Sequence, residues 1–108
     1  MYKLTVLYTR IDDREGFDSH FHGTHLPIAA RTPGLRELRV TGYDVTPDGA
    51  PSIPVIVELL FDTADAAEVG MASEPQQQAV ADFMGMIERY GIEAQILRGE
   101  EQHVPLVA

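Results

Sequence analysis

The chain has 108 residues, with 17 acidic side chains against 8 basic ones and a net charge of -9 at neutral pH. That length suits one domain, residues 1–108, burying roughly 65 % of its unfolded surface around one core, and the negative charge excludes nucleic acid and anionic membranes as partners. The absence of cysteine excludes thiolate catalysis, disulfides and cysteine-held metals, and with no apolar run of signal-peptide or bilayer-spanning length a cytoplasmic protein is expected.

In chain order, Tyr2 to Tyr8 alternates, with Tyr2, Leu4, Val6 and Tyr8 on one face and Lys3, Thr5 and Leu7 on the other, the period-2 pattern of a strand. Asp12 then offers an N-cap with Glu15 three residues on, a capping box for a helix that carries His20, His22 and His25 and ends by Thr32, before Pro33-Gly34. Phe17 and Phe21 lie four apart and share a helix face. Measured from His20, Phe17 falls at about 60°, Phe21 at about 100°, His25 at about 140° and His22 at about 200°. His25 thus borders the apolar face, while His22 points away. Pro27 has no N–H for the Gly23 carbonyl and its ring crowds that oxygen, so the helix is expected to kink or restart there. A break of that kind frees backbone polar groups beside His25 and marks a candidate site.

Leu35 to Tyr43 reads as a half-exposed edge strand, with Arg36, Glu37 and Arg39 among its apolar residues. Asp44 to Pro54 is a loop, since it holds three prolines and a Pro-Asp-Gly turn signal. Val55 to Asp62 is the strongest strand and is apolar on both faces, so both faces are expected to be covered. A short helix follows from Asp62 through Met71. Ser73-Glu74-Pro75-Gln76 resembles a second capping box, opening a helix with Ala79, Val80, Phe83, Met86, Ile87 and Tyr90 at helical spacing, which Gly91 stops. Ile92 to Arg98 alternates as a fourth strand, and residues 99–108 form a C-terminal tail carrying His103.

The order β-α-β-β-α-β is ferredoxin-like: an α+β fold with an antiparallel four-stranded sheet and its helices on one face. The other face would present Thr5, Leu7, Arg39, Glu58, Leu60 and Leu97. That mixture is too apolar to be left wet and too polar for an ordinary core. A homodimer whose sheets face each other, with a partly polar cavity between sheet and first helix, resolves the conflict.

The residues Phe17-x-x-His20-Phe21-x-x-x-His25-x-Pro27, followed by Pro33-Gly34-Leu35, resemble the signature of the EthD-like family of the dimeric α+β barrel superfamily. Glu58-Leu59-x-Phe61-Asp62 and Ala72-Ser73-x-x-x-Gln77 are similar to later segments of that family, so the resemblance covers almost the whole chain. It implies a dimeric α+β barrel, and its relatives include accessory proteins, lactone isomerases, and cofactor-free cyclases and oxygenases of aromatic polyketides. The family usually has tyrosine where this chain has Phe21, which removes a hydroxyl able to orient a substrate. It also commonly reads Ser-Pro where this chain reads Ser73-Glu74-Pro75.

His25 is the leading candidate for proton transfer, because imidazole titrates near neutrality and moves protons once its tautomer is fixed. The competing reading makes it a structural histidine that satisfies backbone freed by Pro27. Glu58, on an otherwise apolar strand, would have its pKa raised by burial and act as general acid or base beside His25, or else pair with Arg39 or Arg98 across the sheet. Arg39 could hold an anionic group of the substrate. His22, Phe21, Tyr43, Leu7 and Leu60 complete the expected pocket, with Tyr8 and Tyr43 near its mouth.

No metal is expected. On one regular helix the three imidazoles span about 200° and only His22 and His25 could share an ion. No cofactor is expected either. The function these features suggest is a small cofactor-independent isomerase, cyclase or oxygenase acting on a compact hydrophobic molecule, whether aromatic, polyketide-like or a lactone. The alternative is a non-catalytic dimeric ligand-binding or accessory protein of an oxidative degradation pathway.

Overall fold

The computed structural model describes residues 1–107. Strand β1 (Tyr2–Ile11) leads into helix α1 (Arg14–His20), a π-helical turn (Phe21–His25) and the short helix α2 (Leu26–Ala29). Strands β2 (Leu35–Gly42) and β3 (Val55–Phe61) follow, then helices α3 (Ala64–Met71) and α4 (Glu74–Tyr90), and strand β4 (Ile92–Glu100). Among the described residues the strands form one antiparallel sheet in the order β2-β3-β1-β4. The ferredoxin-like fold expected from the residue pattern is therefore the one observed. The molecule measures 43 × 36 × 20 Å, and the thin dimension is that of one helix layer on one sheet.

Alternation sets which strand residues enter the core. Leu4 and Tyr8 of β1, Val55, Val57, Leu59 and Phe61 of β3 and Ile92 of β4 are buried under the helices. Phe17 and Phe21 of the first helical segment and Met86 and Tyr90 of α4 close over them. Each such side chain contributes about 1.5–3 kcal/mol relative to exposure.

Several local details differ from the sequence expectation. β1 continues to Ile11, past a bulge between Tyr8 and Arg10, and β4 runs two residues beyond Arg98. Asp13, not Asp12, caps α1: its Oδ1 accepts from the Gly16 N–H at 3.0 Å. Asp12 is held elsewhere, because its N–H donates to the carbonyls of Tyr90 and Gly91 while its carboxylate pairs with Arg10. The second capping box does not form. Ser73 occupies the N-cap of α4, but its hydroxyl donates back to the Gly70 carbonyl, and Gln76 turns inward to Thr32. Gly91 ends α4 with φ +64°, a conformation costly for any residue with a Cβ.

Glu58, Arg39, Leu7 and Leu60 lie on the sheet face away from the helices. The partner of Glu58 is neither Arg39 nor Arg98 but Lys3, whose Nζ donates to it at 2.8 Å and also to Glu101 at 3.1 Å. Arg39 stands opposite Glu58 in register, yet its guanidinium turns to Glu37 and Glu101. Leu60 lies between Lys3 and Glu37 in register and is 0 % exposed. The long side chains of this ionic cluster shield it with their aliphatic stems.

Candidate functional site

The helix that carries the histidines is not regular. Between Phe21 and His25 the backbone widens into a π-turn, closed by the Leu26 N–H donating to the Phe21 carbonyl five residues back. Pro27 sits in the first turn of α2, where its missing N–H is tolerated. The expected restart at the proline is thus real, and the wider turn precedes it.

That turn changes which histidines share a face. With one extra residue per turn, positions 20 and 25 come into line, and both imidazoles meet the Asp82 carboxylate of α4. His20 Nε2 lies 2.8 Å from Oδ1 and His25 Nδ1 lies 2.9 Å from Oδ2. On an unbroken α-helix only His22 and His25 could have shared an ion, whereas the π-turn brings His20 and His25 to one carboxylate. His22 is exposed, its ring meets Phe21 edge-on at 5.4 Å, and it lines a separate cavity with Arg14 and Asp18.

A carboxylate can only accept, so both imidazoles donate to Asp82. His25 is then the tautomer with its proton on Nδ1 and its lone pair on Nε2. Its ring stacks parallel to Phe21 at 5.8 Å, and Phe21 in turn stacks on Phe17 at 4.7 Å. Burial pushes the His25 pKa below the ordinary imidazole value, overriding the opposing pull of Asp82. At neutral pH His25 is therefore an uncharged, oriented base.

His25 borders a cavity of about 90 Å³ between the sheet and the helices. Its floor is Leu4, Val6, Val57 and Leu59 of the sheet. Small residues open the space, since Ala29 of α2 and Ala79 of α4 leave gaps where larger side chains would fill the layer. Val80 of α4 and Ile96 of β4 line its outer side and are 51 % and 61 % exposed. Two further polar residues reach it, Tyr8 and Gln76, both buried.

Of the candidate pocket residues singled out in the sequence, this arrangement gathers His25 and Tyr8 at the cavity. Phe21 lies behind the His25 ring in the core. Tyr43 ends the β2 edge, where its N–H bonds the Pro54 carbonyl, and it is 46 % exposed. The sheet separates Glu58, Arg39, Leu7 and Leu60 from the cavity, so Glu58 and His25 are not brought together. The cavity itself lies on the helix side, not on the second face of the sheet. Asp82 was not marked in the sequence, although an acidic residue bordering the Ala79, Phe83 and Met86 stripe was the available signal. Gln76 was hidden by its resemblance to a capping residue. Among the described residues no set of three His, Asp or Glu side chains is placed to hold a metal ion. The two imidazoles near Asp82 aim at separate carboxylate oxygens, not at a common point. No helix among those residues is long and apolar enough to cross a membrane.

The fold and site define a ferredoxin-like α+β protein with an internal apolar cavity bordered by a histidine held on a carboxylate. In both fold and sequence the chain is similar to proteins of the EthD family. It is similar to the solved structure of an ethyl tert-butyl ether (EthD) family protein from Bacillus halodurans, with 28 % identity and a TM-score of 0.81 over 94 % of this chain and 99 % of that one. An uncharacterized 11.0 kDa protein from the thcB-thcC intergenic region of Rhodococcus erythropolis is 28 % identical over 82 residues, 76 % of this chain and 80 % of that protein. SnoaB, a cofactor-independent oxygenase from Streptomyces nogalater, was solved as a mutant that shares the fold, with a TM-score of 0.63 and 15 % identity over 97 % of each chain. No protein-family profile matches the chain.

Proposed function

We propose that this protein is a small cofactor-independent enzyme in which His25 moves a proton to or from a compact hydrophobic molecule held in the cavity. The observation that carries this reading is the 2.9 Å contact between His25 Nδ1 and Asp82 Oδ2 at the wall of an apolar space. A carboxylate that fixes the tautomer, a depressed pKa and a mostly apolar surround are what a general base needs at neutral pH. SnoaB, which is described as a cofactor-independent oxygenase on the same fold, supports chemistry without a cofactor. Cyclase, isomerase and oxygenase chemistry all begin with such a proton transfer.

The protein acts in this reading as a homodimer joined through the second sheet faces. Support comes from the mixed character of that face, where Leu97 is 51 % exposed beside Thr5 and Leu7. The cytoplasm is the expected compartment, and residues 1–108 work as one domain. The other reading is a non-catalytic ligand-binding or accessory protein of an oxidative pathway. It is favoured by the position of the Rhodococcus relative between thcB and thcC, since an adjacent gene often serves its neighbours.

The test is deuterium exchange, followed by NMR in D₂O, on carbon-bound protons of cyclopentanone, γ-butyrolactone and resorcinol. The enzyme reading expects acceleration of at least one of them, lost in a folded His25→Gln variant. Absence of acceleration on all three supports the accessory reading.

A further inference from the structure

Tyr8 carries more information than its place in the core suggests. It is 1 % exposed and its ring packs edge-on against Phe17, Phe21 and Phe83 at 5.2, 5.9 and 6.0 Å. Its hydroxyl nevertheless makes no hydrogen bond among the described residues, and none of their buried side-chain nitrogens or oxygens is sealed away without a partner. The hydroxyl therefore opens onto the cavity that Tyr8 lines. Burial and the nearby Asp82 charge hold the phenol pKa well above its ordinary value, so it remains an O–H donor. Leaving such a donor unmatched in an apolar site costs about 1–3 kcal/mol, which a ligand acceptor would recover.

Gln76 adds a second fixed group. Thr32 Oγ1 already donates to the Ala29 carbonyl at 2.7 Å, so toward Gln76 it can only accept, and Gln76 Nε2 must be the donor at 2.7 Å. Gln76 Oε1 is left without a protein partner among the described residues. Among those residues no Lys or Arg lines the cavity, and Asp82 lies just behind His25. The cavity thus offers no fixed positive charge to draw in an anionic ligand.

We infer that the ligand is a compact, neutral carbonyl compound whose oxygen accepts a hydrogen bond from Tyr8 while the carbon next to the carbonyl faces His25. This inference rests on the reading of His25 as the base and adds the group that stabilises the charge it creates. The α C–H bond breaks and its proton passes to His25 Nε2. The bonding pair becomes the carbon–carbon double bond of an enolate as the carbonyl π pair moves onto oxygen. Tyr8 donates to that oxygen and keeps its proton, which is the geometry of oxyanion stabilisation. The cavity is smaller than the ~150 Å³ space that holds benzene, so a five-membered ring fills it. Larger molecules extend outward past Val80 and Ile96.

The experiment compares cyclopentanone with methylenecyclopentane, which has the same shape but a CH₂ group in place of the oxygen. Binding of each is measured by NMR titration to the full chain and to Tyr8→Phe. The variant is expected to weaken the ketone about tenfold and leave the hydrocarbon unchanged or tighter. Equal effects on both probes, no effect on the ketone, or no saturable ketone binding by the unmodified protein would overturn the inference. Should Tyr8→Phe not fold, ¹³C-labelled cyclopentanone bound to the unmodified protein decides: its carbonyl resonance is expected to move downfield, and an unmoved resonance overturns the assignment. Tyr8-dependent preference for the ketone without deuterium exchange would keep the ligand class and sink the catalytic reading. Exchange without that preference would do the reverse.

Discussion

His25 and Asp82 stand 57 positions apart in the chain, yet Nδ1 of one lies 2.9 Å from Oδ2 of the other. The contact depends on the π-turn of residues 21–25, which brings His20 into line with His25 so that both imidazoles grip one carboxylate. The widened turn thereby orients a base at a cavity wall.

Removing the carboxylate charge should release that orientation. Asp82→Asn is expected to reduce any His25-dependent exchange by about 10²-fold, the lower end of what general-base catalysis supplies. Because Asp82 raises the His25 pKa against the effect of burial, the variant should also titrate at lower pH. NMR of the His25 Cε1–H across a pH series measures this, and an unchanged or raised pKa would contradict the arrangement.

The depressed pKa of His25 fixes the sign of two pH dependences. Activity that needs neutral imidazole should stay level from neutrality to below the ordinary value of about 6.5 and fall only at lower pH. For stability, the unfolded chain binds the proton first, so His25 contributes fully above about 6.5 and its contribution is lost as pH falls through the folded pKa. Urea unfolding between pH 7.5 and 5 should show a declining midpoint, and His25→Gln should flatten that part of the decline.

The second sheet face provides a test of assembly. Leu97→Glu places a charge on an exposed position of that face without touching the cavity floor. Sedimentation equilibrium should report a dimer for the unmodified chain and a monomer, or at least tenfold weaker association, for the variant. A dimer that survives the change would place the interface elsewhere.

Gly70 offers a stability prediction independent of function. A Cβ there would lie 2.7 Å from Phe61 Cε1 and 2.8 Å from the Pro33 carbonyl oxygen, where α3 crosses the Pro33 turn. Gly70→Ala should destabilise the protein by about 1–3 kcal/mol through overpacking, read as a lower urea midpoint. Gly23→Ala, with nothing within 4 Å of the new methyl, is the control and should not.

What the residue pattern determined by itself was everything governed by local period. Alternation marked the core face of β3 at Val55, Val57, Leu59 and Phe61, the stripe of α4 marked Met86 and Tyr90, and Pro27 announced an irregular helix beside His25. What only the tertiary structure decided was pairing between distant segments. Glu58 and His25 both looked reactive, but a strand residue between two inward neighbours must face outward, so the sheet lies between them. Asp82 went unmarked and Gln76 looked like a cap, and packing of α4 on the sheet put Asp82 behind His25 and Gln76 in the cavity wall. A helical wheel assumes 100° per residue, so it could not foresee the π-turn that draws His20 and His25 to one carboxylate.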